Sequence, residues 1–199
     1  MKNLNEMTDE ELAVSYIEGN NRAFDMLLSN NQRKVFMYIL FVVRNRDVAN
    51  DVFQDTFVKV ITQLQQHRYA PNGKFSAWVM RIAHNEIMDW YRSQRNDKVV
   101  EAPKENDLSN IGGADVTLSS IESHYVNSQV LADVKRMMNC LPATQREVVF
   151  MRFYQEMSFK EIAETTGVSI NTSLGRMRYA ILNLRRMAKE HGVQLQLAF

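Results

Sequence analysis

The sequence predicts an all-α protein of two small helical domains joined by a flexible acidic linker, the C-terminal domain containing a helix-turn-helix. Three observations carry that expectation. Apolar residues recur at helical spacing along most of the chain, and several such runs open on capping boxes. Of 199 residues only 7 are Gly and 3 are Pro, too few for a turn-rich all-β architecture. Charge divides the chain in three: residues 1–96 hold 12 Lys/Arg against 11 Asp/Glu, residues 97–126 hold 2 against 6, and residues 127–199 hold 10 against 6. Together these place domains at 1–96 and 124–199, with the linker at 97–123.

In the first domain, Thr8-Asp9-Glu10-Glu11 is a capping box followed by Leu12, Tyr16 and Ile17 at helical spacing. Gly19-Asn20-Asn21 breaks that helix, and a second runs from about Arg22 toward Val43. The polar stretch 44–47 marks a turn. The next helix sets Phe53, Phe57, Val60, Ile61 and Leu64 on one face, read as core, and Asp51, Gln54, Asp55 and Val58 on the other. That second face fits a docking surface or plain solvated surface, and periodicity does not decide between them.

Pro71-Asn72-Gly73 signals a loop. The helix after it turns Trp78, Val79, Ile82, Ala83, Glu86 and Ile87 toward the core. Arg81, Asn85, Met88, Asp89 and Arg92 form a separate, mostly polar stripe. Its cations can hold phosphate and its amide can read a base edge. Trp78, Trp90 and Tyr91 offer flat faces to an unstacked base, although core anchoring explains Trp78 as well. His84, on the same helix, is expected at the surface or close to nucleic acid.

Periodicity is lost from Asp97 to about Ser123, where Pro103, Gly112-Gly113 and acidic groups describe the linker. Ser119 and Glu122 fit a capping box for a helix through Val130, Leu131, Val134 and Met138. Pro142 suits the first turn of the next helix. Ser158-Phe159-Lys160-Glu161 then caps a short helix that Gly167 can end, and Ser169 can cap a long one. Between Ile170 and Lys189 that last helix has no acidic residue, while it carries Arg176, Arg178, Arg185 and Arg186. Short helix, Gly turn, long basic helix is the pattern of a DNA-binding helix-turn-helix. The tail after Lys189 carries little signal.

Other classes find no support. No Gly-rich phosphate loop, metal-ligating pair or catalytic constellation stands out, and His67, His84, His124 and His191 lie far apart. No enzyme activity and no cofactor are expected. The apolar run over 37–43 is too short to span a bilayer, and the N-terminus lacks a signal-peptide pattern. Cys140 stands alone, so no internal disulfide forms and a cytoplasmic location is expected.

With these residues in view, the chain resembles the extracytoplasmic-function group of bacterial sigma factors over nearly its whole length. The segment DVFQDTFVKV is similar to that family's polymerase-docking helix. FSAWVMRIAHNEIMDWYRSQR is similar to its promoter-melting, minus-ten-reading helix. The segment from LPATQREVVF through GRMRYA is similar to its minus-35-reading helix-turn-helix.

The resemblance implies core RNA polymerase and promoter DNA as partners, and makes an anti-sigma factor an expectation that no residue here identifies. It implies polymerase contact by Asp51, Gln54, Asp55 and Val58. It implies minus-ten contact by Lys74, Arg81, Asn85, Asp89 and Arg92, with the 68–74 loop capturing a flipped base. Asn171, Thr172, Ser173, Arg176 and Arg178 would enter or flank the major groove at minus-35.

One stretch departs from the family pattern. Thr172-Ser173-Leu174-Gly175-Arg176 stands where Thr-Val-Lys/Arg-Ser-Arg is common, placing Ser at a usual core position and Leu at a usual basic one. Leu174, Met177, Ile181 and Leu184 then offer a packing stripe of their own, which leaves two registers of base contact open. A conventional helix-turn-helix regulator with a sensor or dimerisation domain competes with this reading and predicts a palindromic footprint. A pure protein-interaction module predicts no salt-dependent nucleic-acid affinity.

Overall fold

The computed structural model describes residues 3–97 and 136–190, the side chains at 95–97 excepted, and the regular structure of these residues is entirely helical. The proposed linker beyond Asp97, the Ser119/Glu122 capping box, the start of the helix through Val130 and the C-terminal tail lie outside the described residues. The chain divides into two compact helical units.

In the N-terminal unit, a short 3-10 turn (Leu4–Glu6) precedes α1 (Asp9–Ile17), α2 (Asn21–Val43), α3 (Arg46–Gln65) and α4 (Phe75–Asp97). The Thr8 capping box forms as read. Thr8 Oγ1 accepts from the Glu11 amide at 3.3 Å, and the Glu11 carboxylate accepts from the Thr8 amide at 2.9 Å. Helix α2 ends with Arg44 in the left-handed region (φ 61°), after which Asn45 caps α3 through the amides of Asp47 and Val48.

Each helix contributes an apolar stripe to one core, drawing on Leu12, Leu27, Tyr38, Ile39, Val60, Leu64, Val79 and Ile87, all essentially inaccessible to solvent. Polar ties then fix the register between helices. Asn31 is buried and donates to Asp9 at 2.9 Å, holding α2 to the first turn of α1. The Tyr91 hydroxyl donates to the Val42 carbonyl at 3.1 Å, holding α4 to the end of α2.

Toward the C-terminus the described chain resumes with a helical turn over 136–139, followed by α5 (Ala143–Phe153), α6 (Phe159–Thr166) and α7 (Ile170–Glu190). Pro142 stands one residue before α5, at its N-cap, in extended backbone. Helices α5 and α7 pack together, and Asn183 donates to Gln145 across them at 2.8 Å. Val148, Val149, Phe150, Met151, Met177 and Ala180 are buried here.

Candidate nucleic-acid and polymerase interface

The helix-turn-helix is built from its caps. Ser158 Oγ accepts from the Glu161 amide at 3.2 Å while the Glu161 carboxylate accepts from the Ser158 amide at 2.8 Å, which starts α6. Ile162 and Ala163 are buried, and Gly167 ends the helix at φ +67°, a conformation that strains other residues. Ser169 Oγ then accepts from the Thr172 amide at 3.0 Å and starts α7. Ahead of the motif, Arg152 shapes the entry to α6: it donates to the Met157 carbonyl at 3.0 Å, and its guanidinium lies 5.4 Å from the Phe159 ring centroid.

Along α7 the structure separates two faces. Ser173, Met177, Ala180, Met187 and Ala188 are buried. Asn171, Thr172 and Arg178 are exposed, and Arg176 is half-buried. Two expectations are corrected here. Ser173 is 1% exposed and cannot reach a groove, because its Cα lies on the same side as Met177 and Ala180. Leu174 does not join the packing stripe. It is 44% exposed, whereas Met177 is buried and Ile181 and Leu184 are half-buried.

The outward stripe therefore runs through Leu174, Arg178, Leu182, Arg185 and Lys189, all exposed. Leu182, and Tyr179 beside it at 62% exposure, are surface residues that the basic pattern alone did not single out. For Leu182, the four-residue spacing from Arg178 was the available signal.

On α3, Asp51, Gln54, Asp55 and Val58 are all exposed on the side away from buried Val52, Thr56, Phe57 and Val60. Val58 is 60% exposed, an unusual place for a β-branched apolar residue on a free helix face. On α4, Lys74 just before the helix and Arg81, Asn85, Asp89 and Arg92 along it are exposed, and Met88 is half-buried. Asp89 and Arg92 form an ion pair one turn apart, which orients the guanidinium along the helix.

His84 is a third correction. It is buried rather than at the surface, because α4 packs against α1, α2 and α3 together and so buries a wider arc than a one-sided helix. Glu86, in the same arc, pairs with Lys59 of α3. That bond, helped by the charges of Glu86, Asp89 and Asp55, raises the Lys59 pKa above its ordinary value against the opposing effect of burial.

The 66–74 loop is held in place by α1. Glu10 accepts from the Tyr69 hydroxyl at 2.5 Å and from the Gly73 amide at 2.9 Å. Burial foremost, then the bond to Glu10, pushes the Tyr69 hydroxyl well above its ordinary pKa of 10.0. The Tyr69 ring sits 4.6 Å from Trp78 and 5.5 Å from Phe75, so Trp78 anchors the loop through an aromatic cluster. Trp90 packs on Tyr91 at 4.8 Å.

Two conserved-region profiles match this chain: Sigma-70 region 2 over residues 27–96 and Sigma-70, region 4 over residues 131–173. RNA polymerase sigma factor CnrH of Cupriavidus metallidurans is 30% identical over 174 residues, spanning 86% of this chain and 90% of that protein. The chain belongs to the extracytoplasmic-function sigma factors. RNA polymerase sigma factor YlaC of Bacillus subtilis is 28% identical over 149 residues, covering 73% of this chain and 82% of that one. ECF RNA polymerase sigma factor SigE of Mycolicibacterium smegmatis is 26% identical over 169 residues, 85% of this chain and 63% of that one.

In fold, the chain matches CnrH in its complex with the cytosolic domain of CnrY, at a TM-score of 0.62 and 24% identity over 92% of this chain and 97% of the other. It likewise matches the sigma factor RpoE from Bartonella quintana in complex with the anti-sigma factor NepR, at 0.61 and 22% over 83% and 96%. This sigma factor binds core RNA polymerase and promoter DNA and directs promoter-specific transcription initiation. Its class consists of initiation factors rather than catalysts. Among the described residues no helix is long and apolar enough to cross a membrane, and no acidic, His or Cys cluster could hold a metal ion.

Proposed function

We propose a division of labour among three exposed faces of this sigma factor. Asp51, Gln54, Asp55 and Val58 dock on core polymerase. Lys74, Arg81, Asn85, Asp89 and Arg92 meet the minus-ten strand, and Asn171, Thr172, Arg176 and Arg178 meet the minus-35 duplex. The observation that carries the reading is that an acidic-apolar patch on α3, a cationic-amide stripe on α4 and a basic stripe on α7 are each exposed.

An acidic face with an exposed Val58 suits a protein groove lined by cations. Arginines and an amide suit phosphates and base edges. Residues 1–96 and 124–199 act as the two promoter-reading domains, joined through 97–123. The protein works in the cytoplasm, where polymerase and chromosome are, and performs no chemistry of its own. An anti-sigma partner, such as the one the fold relative RpoE is bound to, would act by covering the α3 face.

Asp55→Ala and Arg178→Ala, both at exposed positions, test the division in a reconstituted holoenzyme. Arg178→Ala is expected to weaken minus-35-dependent promoter binding by about 1–3 kcal/mol and to leave polymerase capture unchanged. Asp55→Ala is expected to do the reverse. Loss of polymerase capture in the Arg178 variant would show that the roles are wrongly divided.

A further inference from the structure

The helix α7 carries an inversion at its second turn. Ser173, a hydroxyl-bearing residue, faces the core at 1% exposure, while the leucine next to it faces solvent at 44%. One turn earlier Ile170 is also outward, at 46%. Ile170, Leu174 and Arg178 follow one another at four-residue spacing, so two apolar side chains lead the basic stripe into whatever α7 meets. Folding does not ask for this, since core packing would favour the leucine inside and the serine outside.

The location narrows the ligand. In a helix-turn-helix the first turns of the second helix lie against base edges, and later turns pass the phosphates. Exposed Ile and Leu there have no hydrogen bond to give. In the major groove the apolar group they can cover is the C5-methyl of thymine. Asn171 lies between them in sequence and is exposed, placed for the N6/N7 edge of an adenine nearby. Gly175 follows Leu174, and a Cβ there would meet nothing within 4 Å, so no side chain of its own stands beside Leu174 on the outward face. The Sigma-70, region 4 match stops at Ser173, so Leu174 lies beyond it, while Ile170 lies within it.

We propose that Ile170 and Leu174 form a methyl-reading edge that selects thymine within the minus-35 element. The inference rests on the reading of α7 as the minus-35 helix. It makes Leu174 a specificity-determining residue, where the polymerase-directing function by itself requires only a basic helix.

The test uses holoenzyme reconstituted from the full chain and core polymerase, on a duplex library randomised over the upstream promoter region. Sequences captured from the thymine-containing library define the minus-35 motif, and the winning duplex is then rebuilt with deoxyuridine at each thymine of that motif. At one or two positions the loss of the methyl is expected to weaken capture about fourfold each, the value of one buried methyl-sized group. Leu174→Ala, at an exposed site that does not support the core, is expected to lose the discrimination at the thymine Leu174 covers, and Ile170→Ala to discriminate less than the unmodified chain.

Equal capture of both duplexes by the unmodified chain, or full discrimination by Leu174→Ala, overturns the proposal while the enriched motif keeps the minus-35 reading. Discrimination that is unchanged while Leu174→Ala turns a dimer into a monomer assigns the edge to self-association and overturns it too. Absence of any upstream motif overturns the proposal together with the reading on which it rests.

Discussion

Ser173 brings a hydroxyl into a core of methyl and thioether groups, and its Oγ has no hydrogen-bond partner among the described residues. A buried polar atom that gives up water without a replacement partner destabilises by roughly 1–3 kcal/mol, and Ser also forms helix less readily than Ala. Ser173→Ala is therefore expected to stabilise the protein by about 1 kcal/mol in denaturant melts, with promoter capture unchanged. A fall in stability would mean that the hydroxyl is bonded in solution. The position was legible in sequence as a departure, because Ser stood where an apolar residue is usual. Which of Ser173 and Leu174 turned inward was not legible, since either register satisfies a 3.6-residue period.

At the scale of the element, the capping boxes at Thr8 and Ser158, the stop at Gly167 and the cap at Ser169 all form at the residues that signal them. These are local bonds between neighbours three residues apart, and a linear sequence contains everything they need. The tether from α1 to the 66–74 loop is different: Glu10 reaches Tyr69 and Gly73 across 59 and 63 positions. Glu10→Ala is expected to cost about 1–2 kcal/mol and to speed proteolysis within the 66–74 loop, with Phe75 and Trp78 still packed. Unchanged cleavage would show that the aromatic cluster alone holds the loop. On α7, Gly175 is helical and unencumbered, so Gly175→Ala is expected to stabilise the protein by about 1 kcal/mol, read as a higher denaturation midpoint.

For the molecule as a whole, Lys59 and Tyr69 link the stability of the N-terminal unit to alkaline pH. Both have folded-state pKa values raised above the ordinary 10.5 and 10.0. A raised pKa means that the folded state holds its proton more tightly than the unfolded chain. The associated stability is complete below the ordinary values and is lost as pH climbs through the folded ones. Denaturation midpoints are thus expected to hold to about pH 10 and to fall above it, with a shallower fall in Tyr69→Phe, which has no phenol to titrate. An equally steep fall in that variant would place the alkaline sensitivity elsewhere. Charge distribution works at the same scale: residues 127–199 carry 10 cations against 6 anions, so the DNA affinity of that region is expected to be strongly salt-dependent.

What the sequence determined by itself was the helical architecture, the start and end of most helices, the pairing of a short helix with a basic one, and the family. Each depends on neighbours along the chain or on motifs of contiguous residues. Only the tertiary structure decided that His84 is enclosed, that Ser173 faces in while Leu174 faces out, and that Glu10 fastens a loop more than fifty residues away. Those outcomes depend on how many helices surround a given arc and at what angle, and a side chain's own sequence neighbourhood carries no record of that.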